Sequence, residues 1–267
     1  MTLDIDATHV GGGEAGPLAV PERGRKPRSR GLNMLIDPGL PTQMFADYVA
    51  SFHELIDGVK FGWGTSAITP QIDQKIAILK DYDVTFWFGG TMFEIAYVQD
   101  RLDDLVAFVE RHGARTVEIS DGLIELPSDV RVKWIKRLAE RYTVLTEVGS
   151  KDSETVMSPS EWVSCILRDL EAGASHVIAE GRESGTSGIY RPSGEVREGL
   201  VIDLTRSEIS MDKMVFEAPS KKHQVWFLTH LAPDVSLGNI PFTDIVSIET
   251  MRLGLRADTA QFAIQAG

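Results

Sequence analysis

A chain of 267 residues with 43 % hydrophobic and 25 % charged positions has the composition of a soluble, enzyme-sized globular body, and no apolar run nears the roughly 18 residues that cross a bilayer. A net charge of -12 argues against nucleic acid as the main partner, because phosphate backbones are bound through a surplus of Lys and Arg. The same charge means that an anionic substrate needs local cations or a metal ion.

The first thirty or so residues stand apart, with Gly11-Gly12-Gly13 followed by the basic cluster Arg23, Arg25, Lys26, Arg28, Arg30. Residues 1–25 read as a mobile tail ahead of one catalytic domain over 26–267. No apolar signal core precedes the cluster and acidic residues lie upstream of it, so the expected location is cytoplasmic. The basic cluster is either a solvated lead-in or a strap that brings Lys26 and Arg28 over a site mouth to meet an anion.

From Gly31 the chain alternates β-rich apolar runs with helical spacing, the pattern of crossover units feeding a parallel sheet. Candidate strands are Leu32 to Ile36, Gly58 to Phe61, Val84 to Phe88, Thr116 to Ile119, Thr143 to Val148, His176 to Glu180, Met214 to Glu217 and Val235 to Asn239. Candidate helices are Met44 to Leu55, Gln71 to Lys80, Ile95 to His112, Ser128 to Arg141, Pro159 to Ala172 and Lys221 to Leu231. Ser158-Pro159 ahead of Glu161 is a helix start, and Gly113 and Gly173 fall where a left-handed residue ends a helix. Eight units in a chain near the roughly 250 residues typical of the architecture predict an α/β fold, a single-domain (β/α)8 TIM barrel. The Gly-rich connection from Gly181 to Asp212 is too long for an ordinary loop and is expected to cover the site. Cys165, the single cysteine, excludes an internal disulfide and reads as a core residue.

Charged or glycine positions recur where these strands end: Asp37, Lys60, Gly89-Gly90, Glu118, Glu147, Glu180 and Glu217, with Asn239 closing the series. A core strand has no use for an ionised carboxylate there, since burying one without a partner is costly. In a barrel all these ends meet at one rim. Glu118, Glu147 and Glu180 lie on consecutive strands, so their carboxylates could share a cation, and oxygen ligation of that kind suits Mg²⁺. The alternative is a structural ion network with Lys60, Lys151 or Arg182 and no metal. Gly89-Gly90 either offers backbone N–H groups to an anion or only makes a turn. Gly238 and Asn239 close the last strand, a usual phosphate position in barrels. The histidines lack metal-ligand spacing, and Gly-x-Ser-x-Gly is absent, which argues against hydrolysis by a triad.

Lys26-Pro27-Arg28, Val59 to Ser66, Gly89-Gly90-Thr91, Glu118-Ile119-Ser120-Asp121-Gly122, Glu147-Val148-Gly149, Gly181 to Gly185, Phe216 to Pro219, Leu237 to Ile240 and Glu249 to Arg256 together resemble the phosphosulfolactate synthase family. The resemblance runs from about Lys26 to Thr259. It implies a barrel enzyme of coenzyme M biosynthesis, a lyase that adds sulfite to phosphoenolpyruvate with Mg²⁺ to give (2R)-3-sulfo-2-phospholactate. On this reading Glu118, Glu147 and Glu180 hold the metal, and Lys151 and Lys60 are catalytic, Lys151 as the acid that protonates C2. Arg28, Arg182, Gly89, Gly90, Glu217, Gly238 and Asn239 then bind substrate. The family often has two lysines after Glu-Val-Gly, where this chain has Ser150-Lys151. Phosphoenolpyruvate and sulfite are the expected small-molecule partners, in a homo-oligomer that meets neither nucleic acid nor membrane. Two rivals stay open: a barrel lyase adding another nucleophile to an enol phosphate, and a non-catalytic, stress-related relative.

Overall fold

The computed structural model describes residues 12–150, 157–182 and 184–266. A short antiparallel hairpin comes first, β1 (Gly12–Ala15) and β2 (Leu18–Pro21). The eight expected parallel strands follow as β3 (Asn33–Asp37), β4 (Gly58–Phe61), β5 (Thr85–Phe88), β6 (Thr116–Ile119), β7 (Thr143–Val148), β8 (His176–Ala179), β9 (Met214–Glu217) and β10 (Leu237–Pro241). Their spatial order, β5-β4-β3-β10-β9-β8-β7-β6, is that of a TIM barrel whose seam lies between β5 and β6. Parallel ladders join every neighbouring pair in that order, and β5 packs beside β6 to complete the circle.

The outer ring consists of α1 (Thr42–Phe52), α2 (Thr65–Ile68), α3 (Ile72–Asp81), α4 (Gly90–Val98), α5 (Leu102–His112), α6 (Ser128–Ala139), α7 (Pro159–Ala172), α8 (Glu198–Arg206), α9 (Lys221–His230) and α10 (Ile245–Arg252), with α11 (Gln261–Ala266) at the end. The helix-start reading at Ser158 holds: its hydroxyl caps Glu161 N–H while the Glu161 carboxylate returns to Ser158 N–H, a complete capping box. Gly113 (φ 70°) and Gly173 (φ 115°) end α5 and α7 as expected. The single helix expected from Ile95 to His112 is two, parted at Asp100, whose φ of 55° cannot continue a helix. Helix α8 was hidden in the glycine-rich connection, because Gly199 masks the Leu200, Val201 and Leu204 face that it buries.

Alternation along the strands separates two apolar regions. One face of each strand packs against the helices in the main core, including Val144, Val148, Val177, Ala179, Met214 and Phe216. The opposite face fills the barrel with Leu32, Met34, Trp87, Leu145, Ile178 and Val215. Cys165 sits half-buried at the edge of the main core rather than inside it.

The floor of the barrel, at the strand N-termini, corrects the reading of the N-terminal segment. From Gly12 onward it is structured: the hairpin packs against α11, and Val20 is buried. Arg23 donates to both oxygens of Glu249 in α10, at 3.2 and 3.0 Å from Nε. Glu249 also receives Asn33 Nδ2 at 2.5 Å, and Asn33 Oδ1 receives Arg252 Nη2 at 3.0 Å. Arg28, expected to bind substrate, instead pairs with Asp57 at 2.9 Å and donates to the carbonyls of Gly24 and Glu54. Asp57 immediately precedes β4, so Arg28 lies at the end of the barrel opposite the strand C-termini and cannot serve a site there.

Candidate active site

Three strands carry the same two-residue step on their inward face: Leu145 then Glu147, Ile178 then Glu180, Val215 then Glu217. The period of two places each glutamate one layer above an apolar plug, pointing into the barrel at its C-terminal end. One carboxylate oxygen from each of Glu147, Glu180 and Glu217 lies within 4.8 Å of the others. That spacing, with hard oxygen donors on rigid strand ends, matches what a small divalent cation requires. Glu118 stands outside this group, and Glu217 takes the place foreseen for it.

Lys60, projecting from β4, reaches into the same cluster: its Nζ is 3.0 Å from Glu147, 3.3 Å from Glu217 and 3.5 Å from Glu118. Burial pushes the ammonium toward losing its proton, but the carboxylates of Glu118, Glu147, Glu217 and Glu180 outweigh it and hold the pKa well above the ordinary lysine value. Lys60 is therefore a fixed positive charge at neutral pH.

Lys60, Gly89, Gly90, Glu118, Glu147, Glu180, Arg182, Glu217 and Asn239 all line one cavity of about 170 Å³. Sequence reasoning missed four further lining residues, Ile36, Trp63, Thr91 and Leu123. Trp63 and Leu123 are exposed apolar side chains at the rim, and only their neighbourhood to Lys60 and Glu118 in the chain could have signalled them. Asp37, first in the series of strand-end charges, is not part of the cavity lining: Lys75 pairs with it at 2.6 Å and the N–H groups of Gly39 and Leu40 cap it.

Gly89 and Gly90 do line the cavity, but their N–H groups are already taken. Gly89 N–H donates to Phe61 O at 3.0 Å and Gly90 N–H to Glu118 at 2.6 Å, so the expected anion seat is filled by the chain's own carboxylate. Glu118 also accepts Trp87 Nε1–H at 2.7 Å. Burial drives the Glu118 pKa up, Lys60 opposes this, Glu147 adds to it, and the net value is about 7.

Asn239 sits in a bulge of β10, where the register against β3 slips between Leu237 and Ile240 and the residue adopts φ 52°. Asn tolerates that left-handed conformation, and the bulge turns its side chain onto Glu217, with Nδ2 2.5 Å from Oε1. Gly238, expected as a substrate contact, is within the strand, and its carbonyl accepts Ala218 N–H. Arg182, exposed at the cavity edge with φ 58°, donates its N–H to Glu180 at 2.7 Å. Lys151, the expected acid, lies outside the described residues.

Beneath the cluster, Arg131 of α6 fixes the backbone of β7 by donating Nη2 to Glu147 O at 2.7 Å. The same guanidinium grips Asp169 of α7 and lies 2.9 Å from Asp121. The connection after β8 is less of a cover than expected: of its described residues Arg182 lines the cavity, while Tyr190 stacks on His223 of α9 at 4.0 Å and donates its hydroxyl to Glu217 O.

Comparison with known proteins places the chain in a family. The family model described as (2R)-phospho-3-sulfolactate synthase (ComA) matches residues 21–258. Phosphosulfolactate synthase of Bacillus subtilis is 44 % identical over 91 % of this chain and 97 % of its own length. The protein of that name from Methanothermobacter thermautotrophicus is 38 % identical over 90 % of this chain and 95 % of its own. Protein HEAT-STRESS-ASSOCIATED 32 of Arabidopsis thaliana is 22 % identical over 86 % of the chain and 88 % of its own. The chain belongs to the (2R)-phospho-3-sulfolactate synthase family, a family of enzymes. Among the described residues no helix is long and apolar enough to cross a membrane.

Proposed function

We propose that this chain joins sulfite to phosphoenolpyruvate, with Mg²⁺ as cofactor, and releases (2R)-3-sulfo-2-phospholactate. The observation that carries this reading is the convergence of Glu147, Glu180 and Glu217 within 4.8 Å in a chain of this family. A cavity lined by these carboxylates and Glu118 would repel two anionic substrates, and a divalent cation among them reverses the local field. The ligand set we favour is therefore Glu147, Glu180 and Glu217. When bound there, the ion supplies a Lewis acid for charge that develops on the substrate carboxylate.

In the reaction the sulfur lone pair of sulfite forms a bond to C3, the C2=C3 electron pair moves onto C2 and its carboxylate, and a proton joins C2. The phosphate ester is retained. Lys60 contributes a positive charge to this anionic transition state, its Nζ held in the cavity by Glu147, Glu217 and Glu118. Arg182 at the cavity edge suits a phosphate or sulfite oxyanion, which its planar fork can grip through paired N–H donors. Lys151 remains the proposed acid on the strength of its place three residues beyond the β7 end at Val148. The single cysteine fits a reducing cytoplasmic setting.

Incubation of purified protein with phosphoenolpyruvate, sulfite and Mg²⁺, followed by phosphorus NMR, tests the reading. A new phosphomonoester resonance that needs both sulfite and Mg²⁺ is expected. An unchanged phosphoenolpyruvate signal overturns it, and turnover without sulfite assigns a different nucleophile.

A further inference from the structure

We infer that Glu118 is a positioning residue that closes the barrel seam and aims Lys60 into the cavity, rather than a ligand for a cation. Ladders of backbone hydrogen bonds join the other neighbouring strands, whereas β5 and β6 meet at the ends of the ladder order. Across this seam the Glu118 carboxylate of β6 stands in for part of the missing ladder. Its Oε2 accepts Trp87 Nε1–H from β5 at 2.7 Å, and its Oε1 accepts Gly90 N–H from the first turn of α4 at 2.6 Å. The side chain is wholly buried.

The packing around this junction admits little else. A Cβ added at Gly90 would lie 2.6 Å from Ser120 Oγ and 3.1 Å from Glu118 Oε1, so glycine is what lets α4 start close enough to be bound. On the far side Lys60 Nζ lies 3.5 Å from each Glu118 oxygen, drawn also toward Glu147 and Glu217. Glu118 thus holds the ammonium from one side while the convergent glutamates hold it from the other. With one oxygen given to the indole and the other to the amide, the acceptor capacity that remains on Glu118 faces Lys60 Nζ, so a cation taken up there would have to compete with that ammonium.

The part of this inference that concerns Lys60 rests on the proposed reaction; the seam does not. The experiment compares Glu118→Gln, Trp87→Phe and, as a ligand control, Glu147→Gln. Mg²⁺ binding is read by calorimetry, kcat and KM by turnover of phosphoenolpyruvate, and the Trp87 indole and Gly90 amide protons by NMR exchange. Glutamine has one acceptor oxygen for two donors, so at least one of those protons is expected to exchange about tenfold faster or more in Glu118→Gln. The same variant is expected to lose about 10-fold or more in kcat while Mg²⁺ affinity and KM stay within about twofold, whereas Glu147→Gln loses Mg²⁺ affinity about 10-fold or more. Trp87→Phe keeps the carboxylate and is expected to lower kcat in the same sense with Mg²⁺ affinity intact, which keeps the test open if Glu118→Gln fails to fold. Loss of Mg²⁺ affinity in Glu118→Gln equal to that in Glu147→Gln overturns the inference by making Glu118 a ligand. Unchanged exchange of both protons overturns the seam. If Glu147→Gln binds Mg²⁺ normally, the metal reading fails, and the exchange rates still decide the seam.

Discussion

At the floor of the barrel one buried carboxylate, Glu249, is shared by Arg23 and Arg252, whereas at the mouth one buried ammonium, Lys60, is shared by Glu118, Glu147 and Glu217. On the floor the surplus of positive charge ends on neutral acceptors: Arg252 donates to the carbonyls of Pro233 and Val235 and to Asn33. Burial and the neighbouring Arg23 bring its pKa down to about 9. Glu249 is pulled the other way: burial opposes its ionisation, but hydrogen bonds and charge from Arg23, aided by Arg252 and Asn33, keep its pKa below the usual carboxylate value. At the mouth the surplus among the described residues is of carboxylates, and burial, opposed by Lys60 and reinforced by Glu147, raises Glu118 to about 7. Buried charge at one end is spent on closure, and at the other it is held in a form that can act on a ligand.

The same substitution should therefore have contrary results at the two ends. The largest effect is expected for Glu249→Gln, which leaves two buried guanidiniums facing a neutral amide and should lower unfolding free energy by about 3–5 kcal/mol in urea denaturation, with turnover per folded molecule unchanged. Loss of activity without loss of stability would break the contrast.

The pH dependence of stability should also slope in opposite directions. Glu118 has a folded pKa above its unfolded value, so its contribution is complete below pH 4.5 and is lost as pH rises through about 7. In chelator-treated protein this appears as a loss of stability across that window, and Glu118→Gln should flatten it. Glu249, with a depressed folded pKa, contributes stability that is present above pH 4.5 and lost as pH falls through its folded value. Glu249→Gln should flatten that acid limb and leave the other.

Smaller effects sharpen the comparison. Gly90→Ala places a Cβ 2.6 Å from Ser120 Oγ and should cost about 1–3 kcal/mol by overpacking, read as a fall in thermal midpoint. Glu147→Gln removes the nearest carboxylate from Lys60 but should leave stability within about 1 kcal/mol in metal-free buffer, since Glu118 and Glu217 still hold the ammonium, yet weaken Mg²⁺ binding. A strongly destabilised Glu147→Gln would make the mouth a structural network like the floor.

Much of the barrel is legible in the chain. The apolar runs locate the strands, and the charges that close them locate the rim, because level along a strand follows from counting residues in twos. Position around the barrel does not. Glu118 and Glu147 look alike in sequence, but one lies against the Trp87 indole at the seam and the other converges with Glu180 and Glu217. Arg28 looked like an anion-binding residue because a basic cluster carries no mark of which end of the barrel it folds toward; Asp57 decides that. The turn of the Asn239 side chain onto Glu217 is not legible, because its left-handed φ and the bulge around it are set by pairing with β3, which local pattern cannot report.

The proposal at the centre of this comparison is that the mouth, unlike the floor, holds a divalent cation. Crystals soaked in Mn²⁺, an oxygen-seeking substitute for Mg²⁺, and measured for anomalous scattering test it most directly. The account predicts one strong peak among the carboxylates of Glu147, Glu180 and Glu217. A peak at Glu118 with none among those three, or no peak in the cavity at a Mn²⁺ concentration that supports turnover, would contradict it.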